Sequence, residues 1–89
     1  MIEEKLTVVN PLGLHARAAA QLVRLASAFE SRMTIARSAT EFADAKSILS
    51  ILAMAAGKGT ELTLMVEGPD ERAAADAVRD LFAEGFGEI

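Results

Sequence analysis

Apolar residues alternate with polar ones in four short stretches of the chain, which is the pattern of half-buried β-strands. In the clearest stretch, Leu62, Leu64 and Val66 share one face, and Thr63 and Met65 lie on the other. The stretches are bounded by turn-forming residues, which favours separate strands over one long element. The predicted strands are Lys5–Val9, residues 32–37, Thr40–Ala43 and Glu61–Glu67.

Elsewhere the apolar residues recur three and four positions apart, which indicates amphipathic helices. The predicted helices are Ala16–Phe29, a short helix capped by Asp44 and ended by Gly57 and Gly59, and Asp70–Glu84. Gly85 is the expected stop of the last helix. Residues 86–89 are predicted to form a loose tail.

The resulting order is β-α-β-β-α-β-α within 89 residues, a length that allows a single domain over residues 1–89. Half-apolar strands and amphipathic helices bury their apolar faces when helices cover one side of an antiparallel sheet. The predicted fold class is therefore α+β: an open-faced sandwich with a four-stranded antiparallel sheet covered on one face by three helices.

Composition narrows the possible functions. With no cysteine and one histidine, the chain has neither a disulfide framework nor a zinc-finger or multi-histidine metal pattern. Thirteen acidic against nine basic residues give a net charge of −4, which argues against a nucleic-acid binder. The longest apolar run is far shorter than a membrane span, and no signal peptide is visible. We expect a cytoplasmic monomer without membrane insertion, metal or cofactor.

Candidate chemistry concentrates around the single histidine, His15, at the predicted start of the first helix. The backbone N–H groups of Ala16, Arg17 and Ala18 have no partners inside a helix that begins here, so they form an anion-binding site. The neutral form of an imidazole is a nucleophile that can attack a phosphoryl group. The Arg17 guanidinium is suited to bind phosphate. It can act together with His15 only if His15 lies in the cap, because residues two apart within a helix do not face each other.

Two interpretations of these residues remain open from spacing alone. In the first, His15 carries a phosphoryl group and the helix amides hold it. In the second, His15 is only a cap residue and the chain is a regulatory module of the same fold that binds a protein partner. A catalytic enzyme is disfavoured because no base–nucleophile pair or metal set is visible.

The stretch Asn10-Pro-Leu-Gly-Leu-His-Ala-Arg-Ala-Ala-Ala-Gln21 resembles the signature of the HPr phosphocarrier family of the bacterial phosphoenolpyruvate-dependent phosphotransferase system. A second stretch, Ala45-Lys46-Ser47-Ile48-Leu49 followed by Gly57-Lys58-Gly59, is similar to the family's regulatory-serine region. The resemblance spans the chain and fits a sugar-type or a nitrogen-type member. It implies an open-faced sandwich and a carrier that is a substrate of partner enzymes.

The resemblance also implies roles for individual residues. His15 would accept the phosphoryl group from enzyme I and pass it to enzyme IIA-type acceptor domains, with Arg17 as the base beside the phosphate. In some bacteria an HPr kinase/phosphorylase would modify Ser47, which the helix prediction places in the first turn of the short helix. The family usually has proline after the arginine, whereas this chain has Ala18, whose N–H adds a donor to the anion site.

A partner-docking patch is expected near His15 because the short helix has more apolar residues than it can bury. The expected members are Leu14, Ala20, Arg24, Ile48, Leu49 and Leu52. The basic residues would meet acidic partners, and a phosphate on Ser47 would weaken docking by repulsion.

Overall fold

The computed structural model describes residues 1–88 and has the predicted element order. Its elements are β1 (Ile2–Thr7), α1 (Ala16–Ala26), β2 (Arg32–Ala36), β3 (Phe42–Asp44), α2 (Ile48–Met54), β4 (Glu61–Glu67) and α3 (Glu71–Ala83), followed by a 3₁₀ turn at Gly85–Gly87. The four strands form one sheet in the order β1-β4-β2-β3, and every neighbouring pair is antiparallel. The predicted fold class is confirmed.

The core lies between this sheet and the helices that cover one of its faces. Leu62 is paired with Leu6 of β1, and Leu64 with Ile35 of β2, so their buried side chains share the inner face. The helices contribute mainly small or branched side chains to the same cluster. Alanine at these positions allows the helices to approach the sheet closely, which explains why an alanine-rich chain forms a close-packed core.

Several element boundaries differ from the sequence prediction. β1 begins earlier and ends at Thr7, after which the Val8 N–H donates to the carbonyl of Thr60 at 2.9 Å. β3 begins later because the Ser38 hydroxyl accepts the Glu41 N–H at 3.1 Å and closes a turn there. α1 ends three residues early, yet Phe29 still packs half-buried against the core.

The ends of α2 also differ from the prediction. The N-cap is Ser47, whose hydroxyl accepts the Ser50 N–H at 3.3 Å, and not Asp44. The Asp44 carboxylate instead accepts the Lys46 N–H at 2.9 Å, in the turn before the helix. At the other end, Ala55 adopts a left-handed conformation with φ 50° and stops the helix before the predicted glycines.

The predicted loose tail is wrong for the part of it that the structure describes. Phe86 is 3% exposed, and its ring packs edge-on against Phe82 with centroids 5.0 Å apart. A buried aromatic ring anchors the chain because leaving it in water would expose a large apolar area. Ile89, the last residue of the predicted tail, lies outside the described residues.

Asp70 ties the start of α3 to the turn between α1 and β2. Its carboxylate oxygens accept the N–H groups of Glu30 and Ser31, both at 2.9 Å, and the hydroxyl of Ser31 as well. These bonds, above all that from the Ser31 hydroxyl, lower the pKa of Asp70 below its ordinary value. Asp70, predicted as the first residue of the last helix, therefore precedes α3 and makes a tertiary contact.

Gly68, two residues before Asp70, allows the turn at Ser31 to pack closely against the start of α3. A Cβ atom there would lie 2.6 Å from the Ser31 Cα, and the backbone φ of 153° is one that other residues rarely adopt. The turn can approach the start of α3 only because this position has no side chain.

We expect Asp70→Ala to lower the melting temperature at pH 7, because the N–H groups of Glu30 and Ser31 lose their acceptor. The pKa of Asp70 is depressed in the folded protein, so its contribution is complete above the ordinary value of 3.8. That contribution is lost as the pH falls through the lower folded value. Melting curves between pH 7 and pH 2 should therefore converge for the two proteins at the acid end.

Asp80→Ala is the matched control, because Asp80 lies on the same helix and is exposed. Its melting temperature should follow that of the wild type across the pH range. A constant gap between wild type and Asp70→Ala down to pH 2 would contradict the assignment.

Candidate functional site

The loop that carries His15 is held against the end of α2 by backbone hydrogen bonds. The Leu14 N–H donates to the Ala56 carbonyl at 2.9 Å, and the Gly13 N–H donates to the Asn10 carbonyl at 3.1 Å. The side chain of Asn10 is completely buried, and its Nδ2 donates to the Gly13 carbonyl at 2.8 Å. These bonds fix the loop from both sides and leave little freedom for the residue that follows.

Gly13 is required where the loop meets α2. Its φ is 67°, and a Cβ atom built there would lie 2.6 Å from the Ala56 carbonyl oxygen and 2.8 Å from the Gly57 Cα. Both contacts are with backbone, so the neighbouring segment would have to move to relieve them. The glycine therefore sets the distance between the His15 loop and α2.

His15 is the N-cap of α1, as the sequence prediction of an anion site required. Its backbone is extended, with φ −77° and ψ −178°, and its carbonyl accepts the Ala19 N–H at 2.8 Å. Its Nδ1 accepts the Arg17 N–H at 3.3 Å, and the side chain is 27% exposed. The imidazole thus lies over the first turn of the helix, where unpaired N–H groups and the helix dipole favour an anion.

The structure places the other residues of the predicted anion site in the same turn. Ala16 and Arg17 are exposed, so the Arg17 guanidinium is free to reach an anion at His15. Ala18 is fully buried in the core, and its N–H belongs to the first turn, whose amides have no intrahelical acceptor. Its methyl group therefore packs inward while its backbone stays at the site.

A residue that sequence reasoning missed completes the surroundings of His15. The Glu88 carboxylate contacts Nε2 of His15 through one oxygen and accepts from Nδ2 of Asn10 through the other, at 3.3 Å. Its side chain is 10% exposed, and the hydrogen bond from His15 is the main cause that lowers the pKa of Glu88. The sequence signal for this contact is the large aromatic side chain of Phe86, two positions before Glu88. In the structure Phe86 is buried and holds the segment in place.

These contacts define the state of the neutral imidazole. Nδ1 accepts a hydrogen bond, so in the neutral ring Nε2 carries the proton and donates it to Glu88. The lone pair of Nδ1 then points at the N-terminus of α1. A neutral nitrogen nucleophile beside unpaired N–H donors is suited to accept a group that carries negatively charged oxygens.

The expected docking patch is only partly exposed. Ile48 and Leu49 on α2 are 39% and 78% exposed, whereas Leu52 is half-buried and packs against the core. Leu14 is 4% exposed and belongs to the core, so its predicted place in the docking patch is wrong. The loop turns Leu14 inward because its N–H is bonded to Ala56.

The remaining patch residues, Ala20 and Arg24, lie on α1 together with Arg17. Arg17, Ala20 and Arg24 are three and four positions apart, so they share one face of the helix. Both arginines are exposed and Ala20 is half-buried. Sequence reasoning missed Leu12, which is 69% exposed in the loop before His15.

Within residues 1–88, no group of three or more His, Asp or Glu residues is arranged to hold a metal ion. Among the helices of this described part, none is long and apolar enough to cross a membrane.

Comparisons with known proteins agree on one family. The family model described as "PTS HPr component phosphorylation site" matches residues 2–84. The phosphocarrier protein HPr of Cupriavidus necator is 46% identical over 88 residues, which is 99% of this chain and 98% of that protein. HPr of Treponema pallidum is 48% identical and covers 99% of both chains.

A search of solved structures gives the same answer. The crystal structure of HPr-C-His from Thermoanaerobacter tengcongensis is 37% identical and superimposes with a TM-score of 0.94, over 100% of this chain and 99% of the other. The likeness thus extends over the sheet, the helices and the loop that bears the histidine.

We expect Gly13→Ala to destabilise the protein by at least about 1–2 kcal/mol, the usual cost of a left-handed conformation for a residue with a Cβ. The clash with Ala56 and Gly57 should add to that cost and open the Leu14 hydrogen bond, which amide hydrogen exchange at Leu14 reports.

Gly59→Ala separates the conformational cost from the steric clash. Gly59 has φ 90°, but apart from its chain neighbours no atom lies within 4 Å of a Cβ built there. It should show the conformational cost without faster exchange at Leu14. Equal exchange at Leu14 in both variants would show that the close contact at Gly13 does not hold the loop.

Proposed function

Because the chain belongs to the HPr family of the phosphotransferase system, we propose that it accepts a phosphoryl group on His15 from phosphorylated enzyme I and passes it to enzyme IIA-type acceptor domains. In this role the protein is a substrate of its partner enzymes and has no turnover of its own. Its place of action is the cytoplasm, where phosphoenolpyruvate and enzyme I are available.

The observation that carries the proposal is the position of Nδ1 of His15 at the N-terminus of α1. In the transfer, the Nδ1 lone pair forms a bond to phosphorus while the bond from phosphorus to the donor breaks, and its electron pair stays with the donor. The Arg17 N–H, which bonded the lone pair, is then free to donate to a phosphoryl oxygen. The helix exchanges a hydrogen bond to nitrogen for one to a charged oxygen, which is stronger.

The same geometry supports the onward transfer. His15 is partly exposed at the surface, so an acceptor can approach the phosphorus from the side opposite Nδ1. The exposed Arg17 guanidinium can follow the phosphoryl oxygens as the bond to Nδ1 lengthens. The helix amides and one guanidinium hold the group without enclosing it, as a carrier that must release its cargo requires.

Partner docking is proposed for the exposed residues near this end of α1. Ile48 and Leu49 supply apolar surface, while Arg17 and Arg24 supply positive charge in a chain with net charge −4. Opposite charges on a partner would speed association, and a small contact area would keep the complex short-lived. Both properties suit a protein that meets a donor and several acceptors in turn.

Regulation at Ser47 is the second part of the proposal and comes from the family resemblance. Ser47 is the N-cap of α2 and directly precedes Ile48 and Leu49. A phosphate at this position is compatible with the helix because the N-terminal end of a helix tolerates negative charge. It would also place about two negative charges beside the docking residues, where an HPr kinase/phosphorylase could switch partner affinity.

Incubation with phosphoenolpyruvate and enzyme I should give one acid-labile phosphate per chain in the wild type and none in His15→Ala. The variant should still fold, because loss of an N-cap side chain typically costs about 0.5–2 kcal/mol. Phosphate analysis and a thermal melt of both proteins check these expectations. A wild type that stays unlabelled while it binds a partner protein would favour the regulatory module without phosphoryl transfer.

Ser47→Asp should slow transfer from enzyme I by about tenfold at low salt, with the difference shrinking as salt screens the added charge. Ser47→Asn is the matched control, because asparagine has the same size as aspartate and can also cap the helix, but it carries no charge. Stopped-flow or quenched-flow transfer rates at two salt concentrations measure both variants. Equal rates for Asp and Asn would remove the electrostatic basis of the regulation.

A further inference from the structure

The C-terminal segment, residues 85–88, is anchored across the start of α1 by contacts that the transfer step above does not use. Phe86 is buried against Phe82, and the Gln21 side chain donates to the Phe86 carbonyl at 3.2 Å. The position of this segment is therefore set by the core and by α1. Glu88, the last residue of this segment, is brought to His15 by the packing of Phe86.

The carboxylate of Glu88 is held in a defined orientation. One oxygen contacts Nε2 of His15 and the other accepts from Nδ2 of Asn10. Asn10 is itself fixed, because the same Nδ2 donates to the Gly13 carbonyl and the residue is completely buried. A side chain that is 10% exposed and bonded at both oxygens has little freedom to leave the imidazole.

We propose that Glu88 is a positioning residue for phosphoryl transfer, which keeps the proton of the imidazole on Nε2 and offsets the charge that develops on the ring. The proposal rests on the proposed function of His15. When the Nδ1 lone pair forms the bond to phosphorus, Nε2 retains its proton, so the ring becomes cationic. The carboxylate on Nε2 then faces a positive charge that the neutral ring did not have.

A purely structural role for the contact gives different expectations. If Glu88 only anchored the segment, its loss would lower stability and leave the imidazole of the folded protein unchanged. If it positions the ring, its loss allows the proton to occupy either ring nitrogen, and fewer molecules have an unprotonated Nδ1. The tautomer of His15 therefore distinguishes the two roles without any phosphoryl transfer.

The test uses Glu88→Ala and Glu88→Gln, with Glu84→Gln as the matched control, because Glu84 is exposed at the end of α3. Nitrogen-15 NMR of the imidazole at a pH where the ring is neutral should show protonation at Nε2 alone in the wild type and in Glu84→Gln. Glu88→Ala should show a mixture of tautomers. Glu88→Gln, which keeps an acceptor oxygen, should retain more of the Nε2–H form.

Transfer rates from enzyme I complete the test. Both Glu88 variants should be slower by about tenfold or more, by analogy with metal-binding histidines, where loss of the hydrogen-bond partner on the other ring nitrogen costs about 10–100-fold. Glu88→Gln removes the negative charge but keeps an acceptor for the Nε2 proton. Glu88→Ala removes the acceptor as well, so the ring is no longer held as the Nε2–H tautomer. Glu84→Gln should match the wild type.

An unchanged tautomer in Glu88→Ala would overturn the positioning role, as would an altered tautomer with an unchanged transfer rate. The failure of the proposed function has a separate signature, because a wild type that takes no phosphate from enzyme I leaves the NMR measurement intact. A melting temperature for each variant confirms that the compared proteins are folded at the temperature of measurement.

Discussion

The close backbone contact between the His15 loop and the end of α2 is the constraint on which the site depends. Leu14 donates to the Ala56 carbonyl, and this approach is possible because Gly13 has no side chain where it meets the α2 exit. With the loop fixed there, His15 falls in the cap of α1 and not in the helix body. Its Nδ1 then lies over the first turn, next to the backbone N–H groups at the start of the helix.

Most of the fold could be predicted from the sequence because it follows from local periodicity. Strand β4, with three buried residues on one face, and the amphipathic helices need only their own sequences to be recognised. The ends of the elements were less predictable, since they are set by single competing hydrogen bonds. Ser47 and Asp44 are both good caps, and the choice between them depends on which backbone N–H the preceding turn leaves unpaired.

The same distinction applies to the site. His15 and Arg17 could be found because they are close in sequence and at a helix start, where the chemistry is local. Glu88 could not, because it is 73 residues from His15 and is brought there by the packing of Phe86. Leu14 was misplaced for a related reason, since a loop residue has no periodicity to tell whether its side chain points inward.

The wide sequence separation of the groups around His15 has a consequence for the order in which the protein folds. The site brings together the chain near residues 10–17, the exit of α2 and the last turn, while β1 must pair with β4 across the intervening elements. Such contacts close long loops and cost chain entropy, so the site is complete only when the distant segments have come together. A partly folded chain without these contacts lacks the fixed imidazole. The proposed phosphoryl acceptance therefore requires the native topology and not α1 alone.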